Sequence, residues 1–132
     1  MLEVGTNLGE WRKQKMSFNV ETEQKNRVLC VRLYGELDHH AASALRSRVD
    51  EALEDSGVEH LLLNAEGLTF MDSSGIGVIL GRYKKLQARG GELVVCSVSP
   101  SVRRIFEMAG LFKVLRLENE ESHALRTLGE AV

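Results

Sequence analysis

Two short segments of this chain carry residue types that could do chemistry. One is Met71-Asp72-Ser73-Ser74-Gly75-Ile76-Gly77, with Gly81 following, and the other is Glu36-Leu37-Asp38-His39-His40. In the first, an acid precedes two hydroxyls, and glycines crowd the start of an apolar-periodic stretch. Each interior helical glycine costs roughly 1 kcal/mol against alanine. Two accounts of that cost stand side by side. The glycines let a helix lie close on a sheet, or they clear a helix tip so that another surface reaches the Ser73 hydroxyl. A serine at such a tip is suited to accept a phosphate. That group adds a charge of about −1.5 to −2, stabilised in part by the helix dipole. Beside Asp72 and near Asp38 it is expected to enlarge a negative patch, changing what this edge binds more readily than it unfolds the domain.

Enzyme chemistry fits these residues less well. A dinucleotide-binding fingerprint needs GxGxxG with an acid about 20 positions on. Gly75-x-Gly77-x-x-x-Gly81 is one residue too long, and the next apolar run ends in Val98-Ser99. The P-loop pattern GxxxxGK[ST] is absent. A nucleophile elbow, G-x-S-x-G, would need glycine where Met71 stands. Asp38 with His39 or His40 offers triad partners for Ser73, but tandem histidines at a helix start read as solvated first-turn residues. Asp38 and Asp72 are each better explained as helix N-caps than as paired acid–base carboxylates. The four histidines, His39, His40, His60 and His123, have no HExxH-like spacing. Cys30 and Cys96 lie in apolar runs without ligand-spaced neighbours, and read as buried, reduced core thiols. No cofactor or metal is implied.

The elements that position these residues follow from periodicity. Ser17 to Glu23 alternates as an edge strand, Asn26 breaks it, and Arg27 to Leu33 is a strand covered on both faces. Asp38 caps a helix whose face is Ala42, Leu45, Val49 and Leu53, stopped by Gly57. His60 to Ala65 reads as a central parallel strand. The next helix shows Ile76, Ile79, Leu80, Tyr83 and Leu86 on one face and ends at Gly90-Gly91. Glu92 to Val98 is a buried strand. Ser99-Pro100 starts a third helix, with Val102, Ile105, Phe106 and Ala109 inward and Gly110 closing it. Val114 to Leu117 is a last strand, and Ala124, Leu125 and Leu128 mark a C-terminal helix.

The order ββαβαβαβα predicts an α/β domain with a mostly parallel sheet, right-handed crossovers and one antiparallel N-terminal strand. Loops leaving the C-terminal ends of parallel strands share one edge. Gly35 to His40, Leu68 to Gly75 and Ser97 to Ser101 are read as those loops, which brings Asp38, Asp72, Ser73 and Ser99 to one end.

The 132 residues fit one core. With 17 basic and 19 acidic residues, there is no basic excess for a nucleic-acid partner. No apolar run approaches the roughly 18 residues of a membrane span, and no charged n-region leads into an apolar stretch as in a secretory signal.

Gly35 to His40, Phe70 to Lys84, Gly91-Glu92-Leu93-Val94-Val95-Cys96 and Ser99-Pro100 together resemble the anti-anti-sigma factors of spore-forming bacteria, the founding type of the STAS domain. The resemblance runs from about Met16 to the C-terminus. It implies a strand–helix superhelix with an added antiparallel strand, and a cytoplasmic interaction protein in place of an enzyme. It implies that the unphosphorylated form binds an anti-sigma factor, stage II sporulation protein AB, and so frees sporulation sigma factor F. That anti-sigma factor is expected to be an ATP-dependent serine kinase that inactivates its antagonist, and a serine phosphatase to restore it. The phosphoacceptor falls on Ser73, with Ser74 the second choice. Glu36, Asp38, His39, Asp72, Ser74, Gly75, Ile76 and Gly77 are the expected partner-binding residues. The alternatives are a STAS module of another stress-response circuit and a small nucleotide-binding protein, the latter without a phosphate-binding lysine motif.

Residues Met1 to Lys15 lack an apolar period and end in a basic cluster. They read as a mobile tail ahead of a single STAS domain over residues 16–132, with Met16 a candidate start. A chain beginning at Met16 is expected to melt at the same temperature as the full chain. A loss of several degrees in a thermal melt would show that the tail packs on the domain.

Overall fold

The computed structural model describes residues 18–55 and 57–129, so the predicted tail lies outside the described residues. An antiparallel hairpin opens the fold. Strand β1 (Phe18–Lys25) pairs with β2 (Val28–Leu37), from Phe18 opposite Gly35 to Lys25 opposite Val28. Asn26, at φ 54°, makes the turn. Helix α1 (His39–Leu53) leads to β3 (His60–Met71), α2 (Ser73–Ala88) and β4 (Leu93–Cys96). Then come α3 (Pro100–Met108), a single 3-10 turn (Leu111–Lys113), β5 (Arg116–Glu118) and α4 (Glu121–Thr127). The sheet order is β1-β2-β3-β4-β5, with every pair after the first parallel. The predicted α/β class, element order and single antiparallel strand are what the chain adopts.

Helices α1, α2 and α3 each start where a side chain accepts free N–H groups. Asp38 accepts from the Ala41 N–H at 3.0 Å, and Asp72 accepts from Ser74 at 2.9 Å and Gly75 at 3.1 Å. Ser99 accepts from Val102 at 3.4 Å, with Pro100 at the first helical position. Such caps are each worth about 1 kcal/mol.

The sheet separates two apolar clusters. On one face Leu29, Val31, Leu33, Leu61, Leu63 and Val95 pack against Leu45 and Val49 of α1, Val78, Ile79 and Leu86 of α2, and Val102 and Phe106 of α3. On the other, Val28, Cys30, Leu62, Val94 and Cys96 meet Ala124, Leu125 and Leu128. Both cysteines are free and buried, and burial pushes each thiol up to about 11. They pack as small apolar groups.

The strands depart from the sequence-based boundaries. β2 runs on to Leu37 and β3 to Met71, so Gly35, Glu36 and Leu68 to Met71 are strand and not loop. The ladder shifts register between Arg32 and Tyr34 and again between Gly35 and Glu36. Those irregularities break the alternation by which the strand would be read, while the backbone pairing continues through them. Gly35 sits at φ 95°, open to glycine, and a side chain at Gly67 would run into the Tyr34 ring. β4 stops at Cys96 because Ser97 turns to φ 61°. The last strand is Arg116–Glu118, later than Val114 to Leu117, because Gly110 at φ 71° leads into the 3-10 turn first.

Helix α4 has only seven residues, too few to hold by itself. Besides its apolar contacts, it is tied to the sheet through Glu121. The Arg32 guanidinium donates to both Glu121 oxygens, at 3.0 and 2.8 Å, and Asn64 donates to Oε1 at 3.0 Å. Arg32 also pairs with Glu23 at 2.9 Å and Glu21 at 3.5 Å, linking β1, β2, β3 and α4. The Arg32 side chain is 21% and Glu121 19% exposed, so the pair is partly shielded from water. The Arg32 hydrogen bonds, reinforced by Asn64, hold the Glu121 carboxyl below its ordinary value. A carboxyl depressed on folding contributes stability that is complete above its unfolded pKa and lost as pH falls through the folded one.

Three substitutions test this packing. Glu121→Ala is expected to lose about 1.5 kcal/mol, the lower end for hydrogen bonds to a charged group, because Arg32 keeps Glu21 and Glu23. Urea titrations at neutral pH and at pH 3 check it, with the difference from wild type shrinking in acid. At α2, a Cβ on Gly75 would meet the Leu37 carbonyl oxygen and Met71 Cγ, each at 2.7 Å, whereas one on Gly77 meets nothing within 4 Å. Gly75→Ala is therefore expected to destabilise by about 1–2 kcal/mol, overpacking less the helix-propensity gain. Gly77→Ala is expected to stabilise by up to about 1 kcal/mol in the same titrations.

Candidate functional site

Strands β2 and β3 finish on the same rung, Leu37 opposite Met71. The Asp72 N–H continues the ladder, donating to the Leu37 carbonyl at 3.3 Å. Each strand then turns into its helix through one aspartate of nearly the same backbone shape, φ −97° and ψ −169° at Asp38, φ −104° and ψ −172° at Asp72. The N-termini of α1 and α2 are thereby set side by side at one end of the sheet.

Ser73 is the first residue of α2 and is exposed. Ser74 is half-buried, and its Oγ lies 3.4 Å from Nδ1 of His39, the first residue of α1. The His39 and His40 rings meet edge to face at 5.7 Å. A cleft of about 630 Å³ runs between α1 and α2, lined among others by His39, His40, Arg46, Ser74, Gly77 and Arg82. Among the described residues, no carboxylate lines it. Arg82 is partnered from the side by Asp50, with Nε to Oδ1 3.1 Å.

Glu36 is exposed on β2, opposite Phe70, which is itself exposed. A smaller depression of about 300 Å³ beside it is lined by Phe18, Glu36, Asp38, His40, Ala41 and Ala44. So Glu36, Asp38, His39, Asp72, Ser73, Ser74 and Gly77 gather around the two helix starts. Gly75 is buried against Leu37 and Met71, and Ile76 is half-buried against the core. The two accounts of the glycines thus divide between positions. Gly75 serves close approach of helix to sheet, and Gly77 leaves open space at the cleft.

The electrostatics add basic groups to the acidic residues read from the sequence. The Asp72 carboxylate is committed to two backbone N–H groups, and that of Asp38 to Ala41. The Ala41 N–H holds the Asp38 carboxyl below the ordinary carboxylate range. The neighbouring cleft is lined by basic side chains. An anion at Ser73 would sit by the N-termini of α1 and α2, beside the Asp72 carboxylate and one residue from Ser74, which lines the basic cleft. Arg46 and Arg82 were not singled out in the sequence, although a signal exists. Arg46 follows His39 by seven residues and Arg82 follows Ser74 by eight, about two helical turns each, so each pair shares a face. Among the described residues, no group of three or more His, Cys, Asp or Glu is placed to hold a metal ion, and no helix is long and apolar enough to cross a membrane.

Comparison with known proteins agrees with this architecture. A sequence model of the STAS domain matches residues 19–124. The anti-sigma F factor antagonist of Paenibacillus polymyxa is 48% identical over 113 residues, covering 86% of this chain and 97% of the relative. The structure of the anti-sigma factor antagonist SpoIIAA in its unphosphorylated form superposes with a TM-score of 0.66 at 31% identity, over 84% of this chain and 96% of that one. The Bacillus cell fate determinant SpoIIAA in the phosphorylated form gives 0.65 at 35% identity, over 84% and 99%. The chain belongs to the STAS domain family.

Proposed function

We propose that this protein is an anti-sigma factor antagonist whose partner binding is switched off by phosphorylation of Ser73. The observation that carries the reading is an exposed hydroxyl at the first position of a capped helix, with Gly77 leaving open space one turn on. It is joined to the likeness to an anti-sigma F factor antagonist over nearly the whole of that relative. That likeness favours the sporulation circuit of sigma factor F over a stress-response circuit.

In this reading the unphosphorylated protein acts by binding and performs no catalysis. The partner is an anti-sigma factor, of the type of stage II sporulation protein AB, that is also an ATP-dependent serine kinase. A serine phosphatase reverses the modification in the cytoplasm. Glu36, Asp38, His39, Asp72, Ser74 and Gly77 form the contact surface around Ser73, and Gly75 and Ile76 set its shape from beneath. Phosphate at Ser73 gains from the two helix dipoles within the domain. In the complex the same charge has to be desolvated against a surface shaped for a neutral hydroxyl, which costs several kcal/mol without an opposite charge.

The test is incubation with the cognate anti-sigma factor and ATP, followed by intact-mass measurement and peptide mapping. One phosphate on Ser73 is expected. Ser73→Ala is expected to keep its melting temperature and its partner affinity and to take up no phosphate; normal uptake would move the assignment to Ser74. Asp38→Asn retains a cap and removes the charge. It is expected to weaken anti-sigma factor binding in a calorimetric titration, and undiminished affinity would remove the Asp38 charge from the interface.

A further inference from the structure

We propose that His39 selects the phosphate acceptor, holding the Ser74 hydroxyl in the α1–α2 cleft so that Ser73 is the serine presented to the phosphoryl donor. The inference rests on the reading of this site as a kinase substrate and adds a residue that decides which of two adjacent serines reacts.

Ser73 and Ser74 carry the same functional group, so discrimination has to come from position. Consecutive helical residues point about 100° apart around the axis. Ser73 is exposed, and among the described residues its hydroxyl has no side-chain partner. Ser74 is half-buried, lines the cleft with Gly77 and Arg82, and meets His39 Nδ1 at 3.4 Å. The contact survives a change in the protonation of His39. A bare Nδ1 accepts from the hydroxyl, and a protonated Nδ1 donates to its oxygen. His39 itself is held by its place in the fold. It is the first residue of α1, it follows the Asp38 cap, and its ring packs edge-on against His40. The helix starts that bring His39 to Ser74 are tied together by the Asp72 N–H on the Leu37 carbonyl.

Transfer from a nucleoside triphosphate needs the serine oxygen in line with the leaving oxygen. A bond forms from Oγ to the γ-phosphorus, the bond from that phosphorus to the bridging oxygen breaks, the diphosphate departs, and the hydroxyl proton passes to a base on the kinase. Ser73 is exposed at the helix start, and among the described residues no side chain holds its hydroxyl. Ser74 has first to leave His39 and swing out of a cleft whose far wall is α1. The helix geometry favours Ser73, and the His39 contact adds to that preference.

The experiment compares wild type, His39→Ala and His39→Asn as substrates of the anti-sigma factor with magnesium and ATP. The readout is the ratio of phospho-Ser74 to phospho-Ser73 at early times, by peptide mapping. A ratio internal to each protein is unaffected by any loss of affinity from altering His39. His39→Ala is expected to raise it by about fivefold, the scale of one exposed hydrogen bond. Asparagine places an amide atom where Nδ1 sits, so His39→Asn is expected to return the ratio toward wild type, which a merely structural role for the ring would not do. Phosphorylated Ser73 with an unchanged ratio in His39→Ala overturns the selection and leaves the proposed function standing. No phosphate on either serine of the wild-type protein rejects the proposed function and the selection with it.

Discussion

Leu37 and Met71 face each other on the last rung of the β2–β3 ladder, and the Asp72 N–H adds one more bond to the Leu37 carbonyl. The functional end of the molecule hangs on that pairing. Parallel strands that finish level send their chains out at the same height, and an aspartate in extended geometry then turns each into a helix. Because the strands are in register, the helices start in register too. Gly75 completes the arrangement, since only a residue without a side chain lets α2 begin this close to Leu37 and Met71. Slipping the ladder by one residue would turn the inward side chains outward and would separate His39 from Ser74.

The rest of the fold keeps that rung in place. Three helices bury one face of the sheet, and α4 covers part of the other over the two cysteines. The Arg32 and Glu121 pair carries the restraint across four elements. It lies on the face of the sheet away from the paired helix starts, so a modification at Ser73 does not touch it. The site itself consists of exposed or half-buried groups on rigid supports, a distribution suited to changing surface charge with little strain in the core.

Much of this was legible in the sequence because the signals are local. Aspartate before a helical period reads as a cap, and both Asp38 and Asp72 are caps. Serine followed by proline reads as a helix start, and Ser99-Pro100 is one. Leu61-Leu62-Leu63 reads as a strand buried on both faces, and it separates the two apolar clusters. The strand ends were not legible. Glu36 and Phe70 are exposed, and the bulges near Tyr34 and Gly35 remove the alternation, so only the backbone pairing marks those residues as strand. The basic cleft was hidden for a different reason. His39, Arg46 and Arg82 come from two helices, and their proximity depends on the α1–α2 contact, a tertiary fact. The glycines were ambiguous for the same cause, because what a Cβ would meet at Gly75 belongs to another strand.

The central claim is that charge at Ser73 acts on the interface and leaves the domain folded. A phosphate there has two helix N-termini within the protein to favour it, which offset the nearby Asp72 and Asp38 carboxylates, and a partner surface to oppose it. The most direct measurement is calorimetric titration of the unphosphorylated and the Ser73-phosphorylated protein against the ADP-loaded anti-sigma factor, with thermal melts of both forms. The account predicts at least a tenfold loss of affinity, about 1.4 kcal/mol or more, with melting temperatures that agree closely. Equal affinities, or a large fall in melting temperature accompanying the lost binding, would contradict it.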